Sequence, residues 1–459
     1  MVEPLFPVPV GWQVTTVAEI AARGGGDVQT GPFGSQLHAA DYVEQGIPSV
    51  MPQNIGDNAI SEEGIARISV EDAKRLTRYR LRTGDIVYSR RGDVEKRSLV
   101  RPNNDGWLCG TGCLRIRFGE GHVLPEYAAY YLAHPAAKAW VVQHAVGATM
   151  PNLNTTILGL LPFVLPPMPE QISIARILGS LDDKIELNRR MNETLEAMAQ
   201  AVFRDCFVDF GPTRRKLEGA TDPLTIMGGL VQDAERAQAL ADLFPAALGD
   251  DGLPEGWESK PLLDQANWVN GAAYKNMHFS DGPDALPVVK IAELKNGVTS
   301  STKRTATALG ERYRISDGEL LFSWSGNPDT SIDAFVWIGG DAWLNQHIFA
   351  VRENGTRSRA ALYVLLKALM PQFAELARNK QTTGLGHVTK EDMKRLEIAV
   401  APGPVEAAFE EVITPIFNLI VSKLFENRTL AATRELLLPK LMYGEIRLSE
   451  AEYLMEAAQ

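Results

Sequence analysis

With 459 residues, 45% hydrophobic and 22% charged, the chain has the composition of an ordinary globular protein and the length of roughly three or four domains. Its three cysteines (Cys109, Cys113, Cys206) are too few for a disulfide framework; no run of eighteen apolar residues offers a membrane span, and no charged-then-apolar leader opens the chain, so a reducing, cytoplasmic setting is expected. The net charge of −11 argues against a uniformly basic nucleic-acid binder, yet Arg67 to Arg101 carries eleven Lys/Arg against five Asp/Glu, a local +6 that suits either a solvated face or a phosphate-facing patch.

A first domain is expected over 1–167. Pro9-Val10-Gly11-Trp12 opens it, and apolar runs at Ile47 to Met51, Ile86 to Ser89 and Cys113 to Phe118 read as strands. Glu126 to His144 reads as one helix with Tyr127, Tyr130, Tyr131 and Trp140 on its apolar face. Mixed short elements of this kind predict an α+β fold. Pro166-Pro167-Met168-Pro169 ends the domain, with Pro169 where a helix start tolerates proline.

A long helix is expected next, over 168–210. Steps of four and three pick out Ile174, Leu178, Leu181, Ile185, Asn188, Asn192, Leu195, Ala199 and Val202, the seam of a helix lying along a partner. Residues 211–250, rich in Gly, Ala, Pro and Asp, read as a linker interrupted by a short helical piece at Leu230 to Leu243.

A second copy then begins, expected over 251–403. Leu253-Pro254-Glu255-Gly256-Trp257 echoes the opening, and Tyr79-Arg80-Leu81-Arg82-Thr83-Gly84-Asp85 returns as Tyr313-Arg314-Ile315-Ser316-Asp317-Gly318-Glu319. Each is followed by a strand and then by Gly92 or Gly326. Trp107-Leu108 is matched by Trp343-Leu344, and Phe163-Val164-Leu165-Pro166 by Ala399-Val400-Ala401-Pro402. The order domain, long helix, linker, domain, long helix is an internal repeat.

The second long helix is expected over 404–446, before a tail at 447–459. Its seam follows the first at one constant offset: Phe409, Ile413, Ile416, Ile420, Lys423, Asn427, Leu430, Arg434 and Leu437. A helix of about forty residues would be roughly 60 Å long. Pairing of the two buries both seams, and the Asn192 and Asn427 steps sacrifice stability for register. Pro415 is expected to kink the helix near Thr414, the alternative being a helix that starts at Pro415.

Together these features resemble the specificity (S) subunit of Type I restriction–modification systems. The first copy carries Gly31-Pro32-Phe33-Gly34-Ser35-Gln36-Leu37, Gly46-Ile47-Pro48, Gly84-Asp85-Ile86, Pro169-Glu170-Gln171, Leu181-Asp182-Asp183-Lys184-Ile185 and Phe207-Val208-Asp209-Phe210. The second closes with Leu437-Leu438-Pro439-Lys440-Leu441-Met442-Tyr443-Gly444-Glu445-Ile446. Cys206, where tryptophan is common, and Tyr443, where a small residue is usual, depart from the pattern. The resemblance implies two target-recognition domains joined by two long helices that pair as an antiparallel coiled coil. It implies a non-catalytic reader of a bipartite, asymmetric DNA site, with the helices as a ruler. The implied partners are double-stranded DNA, two adenine-N6 methyltransferase subunits carrying S-adenosylmethionine, and a restriction–translocase subunit using ATP and Mg. Half-sites one helical turn apart would need readers held about 34 Å apart, or a multiple of it.

DNA contacts combine groups that position on phosphate with groups that read bases. Gly34 and Ser35 lie in a glycine-punctuated loop whose backbone can approach phosphate, and Arg90 and Arg91 follow a strand where arginine can read guanine. Thr149, Asn152 and Asn154 are small polar groups in the loop the resemblance implicates. The second copy offers Tyr274, Lys275, Ser325 and Asn327, with Thr383, His387, Thr389 and Lys390 in its matching loop. Each competes with an ordinary role on the surface or in a turn.

Two rival functions have weaker signals. Pro283-Asp284 with Glu293-Leu294-Lys295 fits a degenerate metal-nuclease string, and the helices alone would suit a protein-interaction scaffold. Cys109 and Cys113 lack the paired motif of a zinc site and read as buried strand residues. There is no phosphate-binding Gly-x-x-x-x-Gly-Lys-Ser/Thr loop and no Asp/Asn-Pro-Pro-aromatic methyltransferase signature.

Overall fold

A computed structural model of the chain describes residues 2–56, 58–147, 150–381, 385–446, 450–451 and 453–455. Two compact units result, Met1–Ile185 with Thr429–Gln459, and Glu186–Arg428. The long helices, Met168–Phe203 and Gly403–Met442, each contribute to both.

The first unit is built on an antiparallel sheet in the spatial order Gly25–Thr30, Cys113–Gly119, Ile86–Ser89, Arg97–Leu99. Beside it lies a smaller sheet in which Ile47–Val50 runs parallel to Leu108–Cys109. The second unit repeats the plan with Asn267–Asn270, Ile348–Arg352, Leu320–Ser323 and Asp333–Val336, and with Leu286–Val289 parallel to Ala342–Leu344. In both main sheets the strands, taken in chain order, lie first, fourth, second, third. Each unit also pairs its opening strand with the strand before its long helix, Gln13–Thr16 with Pro162–Leu165 and Glu258–Pro261 with Glu397–Val400. The sequence repeat is therefore a repeat of topology.

The motif repeated at 79–85 and 313–319 builds a clamp. Gly84 turns the chain at φ +88°, and Asp85 behind it accepts the Arg82 N–H at 2.8 Å. The Asp85 carboxylate grips Arg117 through both oxygens, at 2.7 and 2.6 Å, while Arg117 also donates to the Arg80 carbonyl. In the second copy Gly318 turns at φ +87°, Glu319 accepts from Ser316 and from Arg352, and Arg352 donates to the Arg314 carbonyl. Arg115, 2% exposed, adds a second charge near Asp85.

Within the first unit Ile174, Leu178 and Leu181 are buried with Leu430 and Leu437. The charged seam step Arg434 is matched by Asp182 at 2.7 Å, which also accepts the Tyr130 hydroxyl. Within the second unit Asn188 donates to Asn427, Asn192 donates to the Ile420 carbonyl, and Phe203 packs against Phe409. Numbers fall along one helix as they rise along the other, so the pair is antiparallel. The amide nitrogens of Asn188 and Asn192 are hydrogen-bonded, while the buried Asn192 Oδ1 has no partner among the described residues.

Two expectations need correction. The helix read over Glu126 to His144 is two helices, Pro125–Ala133 and Pro135–His144, because Pro135 cannot continue the first and His134 caps the second through Nδ1. Residues 211–250, read as a linker, fold into Gly211–Leu217, Pro223–Ile226 and Ala234–Asp242. Arg215 ties that segment together by bonding Asp205 and the Ile226 carbonyl, and Ile226, Met227, Ala237, Ala241 and Phe244 are buried. The helical piece read at Leu230 to Leu243 is the shorter Ala234–Asp242, started by Asp233. The second long helix runs unbroken through Pro415, which excludes the alternative of a helix starting there. The first long helix passes at Phe203 into a π-helical turn, Arg204–Val208, that carries Cys206. Cys109 and Cys113 are buried strand residues, and burial pushes the Cys109 thiol up to about 12.

Asp85→Ala leaves Arg117 without its carboxylate, while Arg115 keeps Asp27 at 2.7 Å, and should destabilise the chain by about 3–5 kcal/mol; Glu319→Ala, at a more exposed pair, should cost less, as thermal unfolding would show. His134, beside Phe6 and Tyr443, is buried, which pushes its pKa from 6.5 to about 4. Since folding holds it neutral, its contribution is complete above pH 6.5 and is lost as pH falls towards 4. His134→Asn, which can still cap the helix, should flatten that part of the melting-temperature profile.

Candidate nucleic-acid interface

In the first unit three loops are tied together at the end of the strand Ile86–Ser89. Arg91 bridges Asn152, the Leu153 N–H donates to the Arg90 carbonyl at 2.9 Å, and the Gly92 N–H donates to Pro151. The Gly31 N–H donates to Cys113, bringing in the loop with Gly34 and Ser35. A side chain at Gly31 would meet the Gly110 carbonyl oxygen at 2.0 Å, so only glycine allows this approach. Gln36 shapes the same loop by bonding the Phe33 N–H and the Tyr79 hydroxyl. The Arg90 guanidinium lies 5.8 Å from the Phe33 ring, a cation–π pair that aims it, while its Nε is buried without a partner among the described residues. Arg91, Gly34 and Ser35 are exposed.

The second unit rebuilds the frame with other side chains. Ser325 pairs with His387, and the Val388 N–H donates to the Trp324 carbonyl at 2.8 Å. The Gly271 N–H donates to Ile348, and a side chain at Gly271 would meet the Asn345 carbonyl oxygen at 2.1 Å. Thus Arg90 corresponds to Trp324, Arg91 to Ser325 and Asn152 to His387. Trp324 donates its indole N–H to Asn270 and lies beside His347, whose imidazole is pushed down by burial. One frame presents guanidinium groups; the other presents an indole, a hydroxyl and an imidazole. The two backbones are alike and the chemistries differ.

A family model described as the Type I restriction modification DNA specificity domain matches residues 9–197 and again 254–407, one match over each frame. The chain belongs to this family. It is 26% identical over 437 residues to the Type I restriction enzyme HindI specificity subunit of Haemophilus influenzae, covering 87% of this chain and 95% of that one. It is 22% identical over 456 residues to the MjaIX specificity subunit of Methanocaldococcus jannaschii, covering 96% and 95%. Among solved structures it is similar to a Type I restriction–modification S subunit from M. genitalium, at 13% identity and a TM-score of 0.49, covering 95% and 98%. The chain is a specificity subunit, and its function is DNA sequence specificity.

For this specificity subunit the structure sorts the candidate residues. Gly34, Ser35, Arg90, Arg91 and Asn152 gather in the first frame, and Ser325 and His387 in the second. Asn327 begins the adjoining turn, accepting the Asp329 N–H. Asn154 and Thr389 hold equivalent places as N-caps, accepting from Ile157 and Asp392. Lys390 donates to the Trp268 carbonyl beside the Phe349 ring. Tyr274 is packed with Ala272, Val288 and Trp343, and Lys275 beside it is exposed. Thr149 and Thr383 lie outside the described residues. Sequence reasoning missed Phe33, Trp324, Asn270 and His347. The alignment of Arg90-Arg91-Gly92 with Trp324-Ser325-Gly326 could have exposed Trp324.

Losing either cap, by Asn154→Ala or Thr389→Ala, should cost about 1 kcal/mol in the DNA-free protein, measurable by thermal shift.

Proposed function

We propose that each frame reads one half of a split, asymmetric DNA site, and that this chain supplies recognition without catalysis. The observation that carries the reading is the same three-loop frame built twice with different side chains. A shared backbone lets each unit meet duplex DNA in the same way, while different side chains select different bases. In the first frame Arg91, exposed and without a side-chain partner among the described residues, is available to guanine or phosphate; in the second, Ser325 and His387 offer smaller polar groups. Gly34, Ser35 and Lys275 take phosphate-facing positions on this reading. Two modification subunits carrying S-adenosylmethionine, which would methylate adenine at N6, and a restriction–translocase subunit using ATP and Mg would assemble with this chain in the cytoplasm.

The nuclease alternative has no support. Glu293 accepts the Lys290 N–H as part of its own helix start, and Lys295 donates to the Thr330 carbonyl. Among the described residues no group of three or more His, Cys, Asp or Glu could hold a metal ion. No helix there is both long and apolar enough to cross a membrane alone.

Mapping N6-methyladenine across the genome with and without this gene, partner subunits supplied in both, tests the reading. Loss of one split, asymmetric motif on deletion is expected; an unchanged methylome with active partners would refute it. Arg90→Ala and Arg91→Ala should each weaken or relax the first half-site and spare the second. Loss of an Arg91 phosphate contact should also lower the salt slope of binding by about 1. Equal loss at both half-sites would remove these residues from the first reader.

A further inference from the structure

Each frame also presents an apolar side chain at an equivalent place. Met150 is 62% exposed and stands two residues before Asn152, the bridge partner of Arg91. Leu385 is 59% exposed and stands two residues before His387, the bridge partner of Ser325. The correspondence is fixed by the backbone, through the Leu153-to-Arg90 and Val388-to-Trp324 hydrogen bonds. A single exposed apolar residue is ordinary on any protein and needs no explanation. Here the polar residues of the two frames differ at every paired position, Arg91 against Ser325 and Asn152 against His387. A large apolar residue nevertheless stands at the same step of both, with nearly the same exposure. Folding gains nothing from leaving either side chain in water, since burial is the favourable direction.

Resting on the reading above, we propose that Met150 and Leu385 are specificity-determining residues, each making a dry apolar contact with a base in its own half-site. The surroundings select DNA as the occupant. The Met150 loop is hydrogen-bonded to the segment that carries Arg90 and Arg91, so an approaching polyanion brings a base edge to that side chain. Apolar surface on a base comes from two sources, the thymine methyl in the major groove and a base face opened by unstacking. Met and Leu serve both, being long, flexible or branched beyond Cβ, and without a polar atom that would compete for phosphate.

The test uses the chain assembled with its modification subunits and a duplex carrying its mapped site. Met150→Ala should weaken cognate binding about tenfold, equivalent to about 1.4 kcal/mol, with the salt slope unchanged because no phosphate contact is lost. Changes in base preference should be confined to the first half-site, and Leu385→Ala should do the same at the second. Met150→Leu and Leu385→Met should retain binding, and all four variants should melt like the parent because neither side chain is buried. Uracil in place of thymine within a half-site would reproduce the loss if the methyl is the contact. Fluorescence of 2-aminopurine, higher with the parent than with the alanine variant, would instead mark an opened base step. Unchanged affinity in both alanine variants, or a lowered salt slope, would overturn the proposal. Failure of the parent complex to discriminate its site would instead refute the half-site reading on which it rests.

Discussion

One guanidinium in each copy organises everything around the reading loops. Arg117 stands on the strand Cys113–Gly119, beside the strand Ile86–Ser89 that delivers Arg90 and Arg91. By gripping the Asp85 carboxylate and the Arg80 carbonyl, it fixes where the turn at Gly84 ends and the reading strand begins. Arg352, Glu319 and Arg314 do the same work ahead of Leu320–Ser323. Buried charge is expensive, and bidentate geometry makes it tolerable for Arg117 and Asp85, whereas Arg352 and Glu319 meet through one carboxylate oxygen at a more exposed site. A loop hung from so constrained a strand can change its side chains without moving its backbone.

That separation of frame from chemistry explains how a duplicated fold serves two different tasks. Hydrogen bonds that define the frame are between main-chain atoms: Leu153 to Arg90 in one copy, Val388 to Trp324 in the other. They are indifferent to the side chains attached. Gly31 and Gly271 are the exceptions, since each passes so close to a neighbouring carbonyl that a methyl group would collide. Asn154 and Thr389 keep a capping oxygen for a similar reason: the helix that follows needs an acceptor for its first N–H groups. Positions free of these duties are where the copies part.

The helices follow a different logic. Their seams are mostly apolar, but amides at Asn188 and Asn192 and charges at Lys423 and Arg434 interrupt them. Each interruption is answered locally, by Asn427, the Ile420 carbonyl, Glu426 and Asp182 respectively. Polar steps with a single suitable partner penalise any slip in register. The folded segment after the first helix adds to the second unit, where Arg215 and Lys216 bond the Ile226 and Phe244 carbonyls.

Much was legible without coordinates. The nearly constant offset between matching motifs revealed the duplication, the four-three spacing revealed the long helices, and Gly92 with Gly326 marked the ends of the reading strands, because periodicity and turn chemistry are local properties of a chain. What the sequence could not distinguish was a polar residue that faces a ligand from one that finishes a helix. Asn154 and Asn152 look alike two positions apart, yet one caps Thr155–Leu160 and the other bridges Arg91. Likewise Lys390 and Arg91 are both cations after a turn, but only tertiary structure gives the first a carbonyl at Trp268 and leaves the second exposed. Those outcomes depend on which distant backbone arrives alongside, through pairings between segments far apart in the chain, and no local pattern encodes that arrival.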